Sequence, residues 1–278
     1  YGDMSQPKEN YSAKLRAKSM VYFVICIILT LICLVPIYIL IINATRKHVD
    51  IISSVSFIPG SNLAANVKKL LNDPMFQFDP FIGFKNSAII AVGSTVLSVF
   101  FSALTAYGLV VYDFKLRGPA YTFILVVMMV PMQVTSVGFL QFMIKLGLSD
   151  SFIPLIVPTI AAPAIVFFMR QYLKSSFPLD IVEAARIDGC GEFRTFLTIA
   201  IPMMKPAIAV QAIFAFIQNW NNFYQPSMIL VSRKFEQITM PMMINMLKSN
   251  DKIADYGVIY AGIALSIIPV VVIYLLLS

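Results

Sequence analysis

The sequence predicts an all-α membrane protein, a bundle of six spanning helices. Three observations carry that prediction. Of 278 residues, 59% are hydrophobic and only 13% are charged. A soluble domain of this length cannot hide so much apolar surface, and a mean hydropathy of +0.81 makes a bilayer its natural solvent. Six separate segments stay apolar for about 18 to 27 residues, enough to cross a hydrocarbon core of ~30 Å, and none contains Asp, Glu, Lys, Arg or His. Length alone would allow two soluble domains, but spans distributed along the whole chain leave room for one membrane bundle.

The first span covers 20–42. It is too long for a signal-peptide core and no small-x-small cleavage site follows, so it reads as a retained helix. Cys26 and Cys33 share one of its faces, and as small thiols in an apolar run they read as packing residues. A loop, 43–85, precedes the second span, 86–112, where Ser94, Ser98 and Ser102 recur every fourth residue. That spacing favours close helix packing over solute contact. The third and fourth spans, 119–140 and 152–169, contain Pro131, Pro158 and Pro163. The fifth and sixth are 206–230 and 256–277. Bundled helices tolerate such prolines because neighbours satisfy the freed carbonyls. The chain begins without Met and stops at Ser278 inside an apolar run, which reads as a trimmed product.

An even number of spans puts both termini on one side. With the N-terminus inside, 11 of the 21 basic residues fall in inner loops, which hardly chooses a side. The cluster Lys14, Arg16 and Lys18 directly before the first span does, and places the N-terminus in the cytoplasm. The expected organisation is a cytoplasmic segment 1–19 and a transmembrane domain 20–278. Loops 43–85 and 232–255 then lie outside, and 113–118 and 170–201 inside. The net charge of +7 sits in short loops without interleaved aromatics, which points to lipid headgroups and topology and not to nucleic acid.

Several chemistries lack their residues. Ion-coupled carriers usually hold an ionisable group at mid-membrane, and no span has one. No GxxxxGK[ST] loop occurs, so ATP, if used, is hydrolysed elsewhere. The lone His48 has no ligand companions and no CxxC pair exists, so no metal site or catalytic centre is predicted. What the membrane interior offers is neutral: Gln211, Gln218, Asn219 and Asn222 around Trp220 in the fifth span. At about 100° per residue, Gln211, Gln218 and Asn222 share an arc of about 40° opposite Trp220. An amide stripe both donates and accepts, which suits an uncharged, hydroxyl-rich solute. Interhelical hydrogen bonding, worth ~0.6 kcal/mol per contact, is the plainer use of the same residues.

The inner loop carries the most specific signal. Pro178 and Asp180 mark a helix start, with Glu183 placed as in a capping box. Gly189 and Gly191 stop that helix, and a second amphipathic turn runs over 192–199. Ala184 and Ala185 leave a shallow face that a partner groove can approach. Glu183-Ala184-Ala185-x-x-x-Gly189, followed at fixed distance by Ile199-x-Ile201-Pro202, resembles the EAA signature of bacterial binding-protein-dependent ABC importer permeases. The surroundings Arg186-Ile-Asp188-Gly189, Arg170-Gln-Tyr, Pro202-x-x-Lys-Pro206 and Trp220-Asn-x-Phe223 resemble its carbohydrate branch, of the maltose-transporter type. The resemblance covers about residue 86 to the end.

The resemblance implies a non-catalytic permease subunit for sugars or oligosaccharides in a bacterial inner or plasma membrane. Its implied partners are a homologous second permease, two cytoplasmic ATPase subunits holding ATP and Mg, and an extracytoplasmic solute-binding protein. The 183–189 helix would be the coupling element, with Glu183, Ala184, Ala185, Asp188 and Gly189 as its residues. Family members usually continue past the sixth span with a short cytoplasmic tail, which would lie beyond Ser278.

Overall fold

The structure, a computed structural model, describes residues 6–232, 234–249 and 255–277; the trimmed end expected at Ser278 lies outside the described residues. All regular structure among them is helical. In chain order the helices are α1 Gln6–Ala44, α2 His48–Ser53, α3 Leu63–Asn72, α4 Pro80–Val111, α5 Arg117–Met128, α6 Met132–Lys145, α7 Ile153–Ile156, α8 Pro163–Ser176, α9 Asp180–Ile187, α10 Glu192–Thr195, α11 Ile201–Met203, α12 Lys205–Trp220, α13 Tyr224–Ile229, α14 Met240–Ser249 and α15 Tyr256–Leu277.

Among the described residues, four stretches are long and apolar enough to cross a membrane: Leu15–Ala44, Pro74–Val111, Ile153–Ser176 and Tyr256–Leu276. Two bent pairs, each counted as one crossing, bring the number to six. The third predicted span is therefore not one straight helix. α5 and α6 meet at 93° across the break before Met132. Pro131 has no N–H to give and disfavours helical backbone at Val130, so the chain turns there. The fifth predicted span also ends early. α12 stops at Trp220, and its 16 residues reach about 24 Å. Pro226 cannot continue the hydrogen-bond ladder. Asn222 instead opens α13, accepting the Gln225 backbone N–H at 3.2 Å and donating through Nδ2 to Gln225 Oε1 at 2.7 Å. At its other end α12 meets the Glu192–Met203 helical stretch at 80°, the bend falling beside Pro206.

The residues form two compact units, 1–76 with 252–265 and 77–251 with 266–278. In the first, the loop expected over 43–85 is largely ordered. Asn66 is buried and donates through Nδ2 to the carbonyls of Ala44 and Arg46 at 2.8 and 2.9 Å, capping the C-terminal end of α1. His48 stacks on Tyr256 and accepts its backbone N–H at 3.1 Å, and Lys69 pairs with Asp255 at 2.7 Å.

In the second unit α4 is the central helix, packed by α7, α8, α12 and α14. Its seam is small. Ser94, Ser98 and Ser102 are all buried, and Ser94 and Ser102 donate to the carbonyls of Leu155 and Ala162 at 3.1 and 3.4 Å. Those carbonyls flank the stretch broken by Pro158 and Pro163, so the serine spacing serves both packing and backbone satisfaction. At the N-terminal end of α4, Asn86 donates to the carbonyls of Glu236 and Ile238, and Ser87 accepts the Met240 N–H. These bonds pin the 235–240 segment. Gly83 lies beneath α14, where an added Cβ would come within 3.0 Å of Met243 Sδ.

Candidate functional site

The 177–202 segment sits on the C-terminal end of α4. The apolar cluster there joins Ala103, Ala106, Tyr107 and Val110 of α4 to Met169, Leu173, Phe177, Val182 and Phe196. α9 is amphipathic and turns one face into that support. Val182 is 1% and Ala185 6% exposed, one turn apart. Its outer face carries Asp180, Glu183, Ala184, Arg186 and Ile187. Ile187 is 86% exposed, a large apolar side chain with no cover. Of the two expected shallow-face alanines, only Ala184 faces outward. Ala185 falls on the anchored side because helical rotation separates neighbours by about 100°.

The ends of α9 differ in part from the expectation. Its first residue is Asp180, and Leu179 is the N-cap with no side-chain cap bond. The capping box therefore does not form, since the helix starts one residue earlier than that motif requires. Asp180 and Glu183 instead place negative charge in the first turn, where the helix dipole favours it. At the other end Gly189 adopts φ +77. Gly189 N–H reaches Arg186 O at 3.0 Å, and Cys190 N–H reaches Ala185 O at 2.9 Å. This pair of bonds is a Schellman turn, with Asp188 as C-cap. Gly191 is the N-cap of α10 and does not stop α9. The following helical stretch continues past 199 through a π-turn, in which Ile201 N–H reaches Phe196 O ahead of Pro202.

A charged cluster closes the segment, and motif reading did not single it out. Glu192 accepts from Arg186 Nε at 2.7 Å and Nη2 at 3.2 Å, and from the Tyr112 hydroxyl at 2.6 Å. The Arg186 hydrogen bond, then the one from Tyr112, holds the Glu192 carboxyl below its ordinary range. The same Glu192 bond raises the Arg186 pKa. The only sequence hint was an acid six residues after a base, across a glycine turn.

The family described as "Binding-protein-dependent transport system inner membrane component" matches residues 98–278, from mid-α4 through α15. The chain belongs to that family. It is thus an inner-membrane permease subunit of an ABC-type importer and not an enzyme. Among curated relatives, the arabinooligosaccharides transport system permease protein AraQ of Bacillus subtilis is 35% identical over 89% of this chain and 86% of its own length. The lactose transport system permease protein LacG of Rhizobium radiobacter is 32% identical over 71% of each. UgpE of Pectobacterium atrosepticum, an sn-glycerol-3-phosphate transport system permease, is 28% identical over 92% of this chain and 91% of its own. The fold matches a crystal structure of a bacterial ABC transporter involved in the import of the acidic polysaccharide alginate, with TM-score 0.73 over 99% of this chain and 98% of that one at 22% identity.

The amides of this permease are not brought together as one stripe. Gln211 is half-buried and Gln218 exposed on α12. Asn219 turns its amide to Ala215 O at 2.8 Å, within its own helix. Asn222 lies past the end of α12 and bonds to Gln225 of α13, so helical periodicity does not place it beside Gln218. Trp220 is 3% exposed, packs with Phe84, Ala91 and Phe216, and donates to Ser266 O at 3.2 Å. It anchors the helix. A cavity of 320 Å3 opens beside it, lined by Trp220, Asn221, Phe223, Asn245, Lys248 and Ser266 among others, and by none of the four expected amides.

Proposed function

We propose that this chain is one of two permease subunits of an ATP-driven carbohydrate importer, and that α9 is seated in a cleft of a cytoplasmic ATPase subunit. One observation carries the reading: α9 is held on its Val182–Ala185 side and offers Glu183, Ala184 and the uncovered Ile187 on the other. An anchored helix with an acid and an exposed apolar residue on its free face suits a protein groove lined by apolar and basic side chains. Asp188 and Gly189 shape its exit. The cargo class rests on the names of relatives, two of which are permeases for arabinooligosaccharides and lactose.

In this reading the N-terminus is cytoplasmic, and residues 20–278 form the transmembrane domain after a short segment 1–19. The partners are a homologous permease, two ATPase subunits that bind ATP and Mg, and an extracytoplasmic binding protein. Closure of the ATPases moves α9 as a lever and switches the bundle between facings. Gln211 and Gln218 line the solute path through the bundle, with Asn219 and Asn222 placing the end of α12. The test is the assembled transporter in liposomes, with ATPase activity read with and without binding protein over a panel of oligosaccharides. Glu183→Ala should lose about 1.5–3 kcal/mol of docking, a fall of more than about tenfold in stimulated ATPase activity. Wild-type stimulation in that variant would sink the docking assignment. Stimulation by sn-glycerol-3-phosphate but by no sugar would replace the cargo.

A further inference from the structure

Three elements meet at a single side chain. Glu192 opens α10, Arg186 stands in the last turn of α9, and Tyr112 is the residue directly after α4. Both Glu192 oxygens are used: Oε1 takes Arg186 Nε, and Oε2 takes both Arg186 Nη2 and the Tyr112 hydroxyl. The Arg186 guanidinium also stands 5.7 Å from the Tyr112 ring centre.

The geometry of these bonds differs in kind from the packing beneath α9. The contacts of Val182 and Ala185 are apolar and non-directional, so they seat α9 without a directed bond to set its angle. A bidentate fork fixes an orientation as well as a distance. α9 leaves through the Gly189 turn, whose Cβ position is open space, so the turn offers no steric stop. The fork closes that turn from Arg186 to Glu192, and the Tyr112 hydroxyl ties the closed unit to α4. α4 is in turn the helix on which α8, α12 and α14 pack.

We propose that Tyr112 and Glu192 are positioning residues for energy coupling. They hold α9 at a fixed angle to α4, so that displacement of α9 moves the central helix and does not merely rotate the loop. This rests on the reading of α9 as the ATPase-seated element.

The test uses the complete transporter in liposomes and reads solute taken up per ATP hydrolysed. Tyr112→Phe keeps the ring and removes only the donor. It should lower that ratio about threefold to tenfold, as expected for loss of a hydrogen bond to a partly exposed charged acceptor. Tyr107→Phe is the control. It makes the same change five positions earlier on α4, where the hydroxyl is buried without a partner, and should leave the ratio unchanged. Arg186→Lys keeps the charge and removes the fork at a side chain 40% exposed, so it does not threaten folding and should lower the ratio like Tyr112→Phe. Wild-type ratios in Tyr112→Phe or Arg186→Lys, in a preparation where Glu183→Ala abolishes stimulation, overturn the positioning role and leave the docking reading standing. Wild-type behaviour of Glu183→Ala overturns the docking reading itself. An equal fall in Tyr107→Phe also overturns the inference, because losing a tyrosine hydroxyl at this end of α4 would then lower the ratio without any bond to Glu192 being lost.

Discussion

Two neighbouring alanines on α9 should respond in opposite ways to the same substitution. Ala185 is 6% exposed on the anchored face, and Ala184 is exposed on the free one. Ala185→Leu forces three more carbons against the chain's own support, and overpacking of that kind costs about 1–3 kcal/mol. For a chain of this size each kcal/mol lowers the melting temperature by about 2–4 °C, so the expected fall is about 2–12 °C. Ala184→Leu meets only solvent in the isolated chain and should stay within about 0.5 kcal/mol, or ~2 °C. The assay is thermal unfolding of the solubilised chain followed by its one tryptophan, the buried Trp220. In the assembled transporter the order reverses. Ala184→Leu, though stable, should abolish ATPase stimulation by keeping α9 out of its groove. A wild-type melting temperature in Ala185→Leu together with a large fall in Ala184→Leu would refute the assigned rotation of the helix and the docking face with it.

Gly189→Ala should cost about 1–2 kcal/mol, because φ is +77 while no atom crowds the added Cβ, and Gly189→Asn should cost less. The same melting experiment measures both. Asn86→Ala strands the carbonyls of Glu236 and Ile238 and should cost about 1–3 kcal/mol, with amide exchange rising first over 235–240. The Glu192 carboxyl is held below its ordinary 4.5, so its contribution is present above that value and is lost as pH falls through the lower folded one. The difference in melting temperature between wild type and Glu192→Gln should therefore stay constant from about pH 5 to 8 and shrink as pH falls below the ordinary carboxylate value.

The parts of this fold that were legible in the sequence are those governed by composition over a long window. α4 and α15 lie close to their predicted spans because about twenty uncharged apolar residues have few alternatives in a bilayer. The Gly189 stop was legible for a local reason, since one residue type fits a left-handed turn. The broken spans were not. A proline inside an apolar run signals a kink or a break equally; α6 starts after Pro131 with no side-chain cap bond, whereas the start ahead of Pro226 has a side-chain acceptor. Asn222 supplies that acceptor, and in doing so leaves the arc that a continuous helix would have given it. The order within 43–85 was hidden because its organising contacts, such as Asn66 with two carbonyls about twenty residues earlier, have no periodicity to read. The Glu192 cluster escaped for the same reason, as its Tyr112 partner is 80 residues away.

That separation has a consequence for how the molecule is made. The Gly189 turn is closed by bonds that span no more than five residues, and the Arg186–Glu192 pair spans six. Such local closures form on the microsecond scale, far faster than a ribosome adds residues at about 5–20 per second. The loop can therefore acquire its shape while α12 and α15 are still being synthesised. Its attachment to α4 through Tyr112 needs only residues already translated. The surface proposed to dock the ATPase is thus complete before the last crossing is inserted, and a truncated nascent chain should already display it to protease or antibody.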